Sequence, residues 1–184
     1  ARGELPDQTR NNCSGKHAGM LAVARQLDKP TLGYIKPTHA VQQRILGVFE
    51  AMCGIDMGDA PLAIDGCSVP TWGIPLENLA LGVARFAAPE DLSEERAAAC
   101  RRIAQAVMAN PYYVAGTGRY CTEMMQALPQ IFLKTGAEGV YIAALPEYGL
   151  GVALKCDDGA TRAAEVMMTA LLRHIGAISD ADLP

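Results

Sequence analysis

The sequence predicts an α+β protein, a mixed α/β class in which helices pack on an antiparallel sheet. Three observations carry this. Apolar residues recur at helical spacing through the first two thirds of the chain, two β-type runs follow one another late in the chain across a turn signal, and one further helical pattern closes the sequence. Strands and helices do not alternate as they would in a series of βαβ units.

The elements follow in order. Met20, Leu21, Val23, Ala24 and Leu27 lie on one face of a helix, so the polar stretch NNCSGKH before them sits at its N-terminal end. A second helix is expected from Thr38, an N-cap after Pro37, with Val41, Ile45, Val48, Phe49 and Met52 on one side and Gly54 as its stop. The segment APLAIDGCSVPTWGIPL suggests a short strand and then irregular loops. A third helix begins at Ser93, carries Glu94 and Glu95 in its first turn, and buries Cys100, Ile103, Ala104 and Val107. The glycine-rich VAGTGRYCTEMM opens a fourth, short helix ending near Pro129. FLKTGAEGVYIAAL and GLGVALKC then read as two strands joined through PEYG. The last helix, Ala160 to Ile175, ends at Gly176.

With 184 residues, half of them apolar, and no repeat or linker, the chain reads as a single domain over 1–184. A net charge of −4 gives no electrostatic reason to expect nucleic acid or an anionic membrane, and a small polar substrate fits better. No stretch reaches the roughly 18 consecutive apolar residues of a membrane helix, and the first ten residues lack signal-peptide character. The expected location is cytoplasmic. The six cysteines are scattered, which favours reduced thiols over a disulfide framework, and the absence of any C-x-x-C pair argues against a thiol redox protein. Cys53 and Cys100 sit in apolar helical patterns as inert thiols; Cys13, Cys67 and, less distinctly, Cys121 lie in polar or glycine-rich settings.

Three loops hold more polar groups than a turn requires. At the first, a helix N-terminus favours anions, including a thiolate at Cys13; the plainer reading is helix capping by Asn12 or Ser14, with Lys16 and His17 solvated. In the second, DGCSVP, Asp65 stands at the tip of an apolar run, as a ligand or as a turn residue. In the third, KTGAEG, Lys134 at a strand edge can hold or deprotonate a neighbouring hydroxyl. The tripeptide K-T-G also occurs in the signature of serine β-lactamases and penicillin-binding proteins.

Taken together and in order, NNCSGKHAGML, DGCSVPTWGIPL, AGTGRYCTEMM and KTGAEGVYIAALPEYGLGVALKCDDG closely resemble the asparaginase II family, the rhizobial-type L-asparaginases, from about Arg10 to His174. The resemblance implies a fold similar to serine β-lactamases and glutaminases. It also implies hydrolysis of L-asparagine to L-aspartate and ammonia through a serine/lysine acyl-enzyme. Carried over onto this chain, it implies a zinc ion held by Cys13, Lys16 and Cys67, with Asp65 receiving the substrate's α-ammonium group. Lys134 becomes the lysine that activates a serine, and His17, Arg119 and Glu138 become substrate contacts. The family's nucleophilic serines lie upstream of N-N-C-S-G-K-H, and Ser14, Ser68, Ser93 and Ser179 match none of them. The chain is therefore expected to be the C-terminal part of such an enzyme and to form a homodimer. The alternative is a non-catalytic zinc-binding or interaction module.

Overall fold

The computed structural model describes residues 3, 5 and 7–183. Within these the chain forms two compact units, one from residues 1–51 and 56–73, the other from 52–55 and 74–184.

In the first unit, helix α1 spans Ser14–Gln26, and helix α2 begins at Ala40 and ends at Cys53. The antiparallel strands β1 (Leu62–Ile64) and β2 (Pro70–Trp72) follow. Helix α2 starts two residues after the expected N-cap. Thr38 does not cap it; the Nδ1 atom of His39 accepts the Val41 N–H instead, at 3.2 Å. Ala24 and Val41 are buried, and Phe49 meets Trp72 edge-on with ring centroids 6.3 Å apart. The expected single strand at 62–64 is thus half of a hairpin. Its turn at 65–69 is closed by Asp65 N–H to Val69 O at 2.9 Å and Ser68 N–H to Asp65 O at 2.8 Å, and Ser68 adopts the left-handed conformation at φ 74°.

The second unit contains helices α3 (Leu76–Ala87), α4 (Glu94–Ala109), α5 (Pro111–Ala115) and α6 (Tyr120–Ala127). Strands β3 (Phe132–Thr135), β4 (Val140–Leu145) and β5 (Leu150–Lys155) follow, and helix α7 (Thr161–His174) closes the chain. The strands form one antiparallel sheet in the order β3-β4-β5. Two expectations change here. Helix α3 lies in a stretch to which no element was assigned, and the run 132–145 is two strands, because Gly136 and Gly139 turn the chain between them. Gly139 has φ 68°, and a Cβ there would lie 2.8 Å from the Cβ of Cys156, so only glycine fits.

The register alternates side chains between two faces. Leu133, Tyr141, Ala143, Leu145 and Leu154 face Cys121, Met124 and Met125 of α6 and Ala164, Met168 and Leu172 of α7 in one core. The opposite face meets α3 at very short range, where Gly151 is pressed against the helix backbone. Helices thus cover both faces of an antiparallel sheet, an arrangement consistent with the predicted mixed α/β class. Helix α4 is capped as expected, with Ser93 Oγ accepting from Arg96 N–H. It buries Ala97, Cys100 and Ala104, whereas Ile103, expected in the stripe, is 53% exposed. Cys53 and Cys100 are buried free thiols, as predicted, and Cys121 is buried as well.

Candidate metal and substrate site

The NNCSGKH stretch does open a helix, and Cys13 occupies the N-cap position without a side-chain cap bond. Two amides there are met from further upstream: Asn11 Oδ1 accepts the Cys13 N–H at 2.8 Å, and Asn11 O accepts the Ser14 N–H at 3.0 Å. Neither Asn12 nor Ser14 supplies the cap. Cys13, Lys16 and His17 stand at i, i+3 and i+4, so they share one face of the first turn.

The β1–β2 turn brings Asp65 and Cys67 to that face. The sulfurs of Cys13 and Cys67 and a carboxylate oxygen of Asp65 all lie within 4.8 Å of one another, and all three residues are half-buried. Asp65 Oδ2 accepts from Lys16 Nζ at 3.2 Å and from the Cys67 thiol at 3.1 Å, while Oδ1 accepts the Gly66 N–H at 2.9 Å.

The electrostatics follow from this packing. Hydrogen bonds from Cys67 and then Lys16 hold the Asp65 carboxyl below its usual range, since they stabilise the carboxylate. Burial pushes the Cys67 thiol up, and its bond to Asp65 adds to the rise because it favours the protonated form. At Lys16 burial works against the charge. The hydrogen bonds to Cys67 and Asp65 and the negative potential of Cys13 outweigh it, so the ammonium titrates above the ordinary lysine value.

This donor set fits a soft divalent metal. Two sulfurs, a carboxylate oxygen and a nearby amine can converge on a tetrahedral ion with Zn–S bonds of about 2.3 Å and Zn–O or Zn–N bonds of about 2.0–2.2 Å. Thiolate ligands select zinc, copper(I) or iron–sulfur chemistry over magnesium or calcium.

His17, one turn on from Cys13, is held by Tyr34. Its Nδ1 atom is 2.6 Å from the Tyr34 hydroxyl, and the two rings meet edge-on at 87° with centroids 5.7 Å apart. Sequence reasoning did not find Tyr34. It sits in a turn with no recognisable motif, and only the fold brings it to α1.

The remaining nominated residues belong to the second unit. Lys134, half-buried on β3, pairs with Ile142 in register and donates to the Thr135 carbonyl. Glu138 lies exposed in the β3–β4 turn in the left-handed conformation, φ 58°. Arg119 is the exposed N-cap residue of α6, with extended backbone.

Fold and site together define a mixed α/β protein with a candidate metal group of two cysteines and an aspartate next to a lysine. A family model for L-asparaginase II matches residues 1–183. The chain therefore belongs to the L-asparaginase II family, a family of asparaginase-type amidohydrolases, and the expected family membership is borne out. No curated protein matches the chain.

Proposed function

We propose that the chain forms the metal- and substrate-binding part of an L-asparaginase that converts L-asparagine and water to L-aspartate and ammonia, with zinc held by Cys13, Lys16 and Cys67. The observation that carries this reading is the convergence of Cys13, Asp65 and Cys67 within 4.8 Å in a chain of the L-asparaginase II family. When bound, the zinc supplies a fixed positive charge and a coordination position for a polar group of the substrate.

Asp65 receives the substrate's α-ammonium group. Its Oδ2 accepts from both Lys16 and Cys67, the two residues that would turn to the ion, while its Oδ1 accepts the Gly66 N–H. An α-ammonium group would then supply Oδ2 with N–H donors and a positive charge in their place.

Lys134 serves as the activating amine. In its neutral form it takes the proton of a nucleophilic serine hydroxyl as the oxygen attacks the carboxamide carbon. Ammonia leaves with a returned proton, and water then cleaves the acyl-enzyme. Arg119 and Glu138 contribute to substrate binding. The active form is a homodimer working in the cytoplasm.

Zinc content of the purified chain and of Cys67→Ala, followed by L-asparagine binding to each, tests this; ammonia release with and without Lys134→Ala is read in a protein that also carries the nucleophilic serine. The expected result is one equivalent of zinc and L-asparagine binding, both lost in Cys67→Ala, and turnover abolished by Lys134→Ala. Zinc without L-asparagine binding favours the non-catalytic zinc-binding module; turnover that survives loss of Lys134 removes that residue from the mechanism.

A further inference from the structure

His17 Nδ1 and the Tyr34 hydroxyl oxygen lie 2.6 Å apart in a hydrogen bond whose direction depends on the imidazole tautomer. Of the two arrangements, a phenol donating to a bare imidazole nitrogen is the stronger, because the imidazole nitrogen is the better acceptor and the phenol the better donor. The Tyr34 hydroxyl therefore donates to Nδ1, which leaves the ring proton of the neutral imidazole on Nε2.

Tyr34 is itself fixed. Its carbonyl accepts from Gln42 Nε2 at 2.9 Å, and the same amide nitrogen lies 3.4 Å from Met20 Sδ on α1. Gln42 is fully buried, and its Oε1 has no hydrogen-bond partner among the described residues. An apolar side chain would fill this place in the apolar face of α2 without leaving a buried acceptor unmet. What the amide supplies is a fixed Tyr34 backbone relative to α1, and with it a fixed phenol on His17.

We propose that Tyr34 is a positioning residue, which acts through His17 by fixing its Nδ1 as an acceptor and so presents the Nε2–H as a donor on the face of α1 that carries Cys13. Such a donor fits an anionic or carbonyl oxygen of a bound amino acid. In the substrate assignment the proposal rests on the asparaginase reading above; in the tautomer assignment it does not.

The test is a long-range proton–nitrogen correlation spectrum of the full chain at about pH 8, above the ordinary imidazole range. His39 serves as an internal standard. Its Nδ1 accepts from Val41 N–H and its Nε2 faces the Pro30 carbonyl at 2.9 Å, so it too must carry its proton on Nε2. The wild-type spectrum is expected to show His17 in the same tautomer as His39, and Tyr34→Phe to move His17 alone toward a mixture of the two forms. An Nδ1–H tautomer in the wild type, or a His17 pattern unchanged in Tyr34→Phe, overturns the proposal. The wild-type spectrum stands by itself should the variant fold poorly.

In binding titrations of the zinc-loaded chain Tyr34→Phe is expected to raise Kd for L-asparagine about fivefold, the result of losing an orienting donor. An unchanged Kd overturns the donor role. Absence of L-asparagine binding to the wild type, alongside the expected tautomer, would sink the asparaginase reading while the Tyr34–His17 assignment stands.

Discussion

Replacing Lys16 by methionine separates an amine that ligates metal from one that only neighbours it. An amine binds a metal ion only after losing its proton. The ordinary lysine value of 10.5, above which Lys16 is raised, lies more than three units above pH 7, so deprotonation there costs at least about 5 kcal/mol. That cost falls by about 1.4 kcal/mol for each unit of pH, until the pH reaches the pKa. The two thiols lose their protons in wild type and variant alike, so their contribution cancels in the ratio of the two affinities. If Lys16 ligates zinc, the wild-type advantage over Lys16→Met grows about tenfold per pH unit, hence about a hundredfold between pH 6.5 and 8.5. Competition against a chelator of known zinc affinity at three pH values measures it. A ratio that stays constant over that span would refute ligation by Lys16 and leave Asp65, which needs no deprotonation at these pH values, as the third donor beside Cys13 and Cys67.

Three further outcomes follow from the packing. Gly151→Ala would place a Cβ 2.1 Å from Ala84 N and 2.3 Å from Ala80 O, contacts that α3 can relieve only by moving off the sheet; a loss of at least about 3 kcal/mol, or roughly 6–12 °C in melting temperature, is expected by thermal denaturation. Ser68→Gly removes the cost of a left-handed serine at φ 74° and should raise stability by about 0.5–1 kcal/mol in denaturant titration, with zinc content unchanged. Tyr141, 1% exposed and accepting from the Cys121 thiol at 3.3 Å, has its phenol pushed well above 10 by burial. A raised folded value stabilises the fold below the ordinary tyrosine pKa and is lost as pH rises past it, so Tyr141→Phe should cost about 1 kcal/mol near neutrality and close that gap above about pH 10 in urea unfolding.

The sequence made local features readable and left distant meetings unread. The spacing of Cys13 and Lys16 at a helix start and the Ser93 cap were visible because a helix turn is set by neighbours in the chain. Asp65 lies 49 residues from Lys16, and nothing in either segment fixes that pairing; only the family resemblance joined them. Helix α3 was missed because prolines and glycines on its N-terminal side resemble a continuing loop, although Pro75 at its N-cap and Glu77 in its first turn are start signals. The run 132–145 reads as one strand only if the glycines of KTGAEG are passed over; Gly136 and Gly139, between Thr135 and Val140, are the turn signals that divide it. Gln42 did leave a trace, as a polar residue between Val41 and Ile45 on an otherwise apolar face, but its purpose is visible only with Tyr34 in place.

The competing account of the opening stretch was plain helix capping, and the structure bears on it directly. A serine, asparagine or aspartate at the N-cap is worth about 1 kcal/mol over a residue that cannot cap. The N-cap here is Cys13, which makes no side-chain cap bond, while Asn11 serves the amides from outside the helix. Asn12 and Ser14 stand on either side of the position where they would cap best. Stability alone would favour a capping side chain at residue 13. A thiol in that place makes no cap bond, and its sulfur lies within 4.8 Å of the Cys67 sulfur and the Asp65 carboxylate, in a group that could hold an ion.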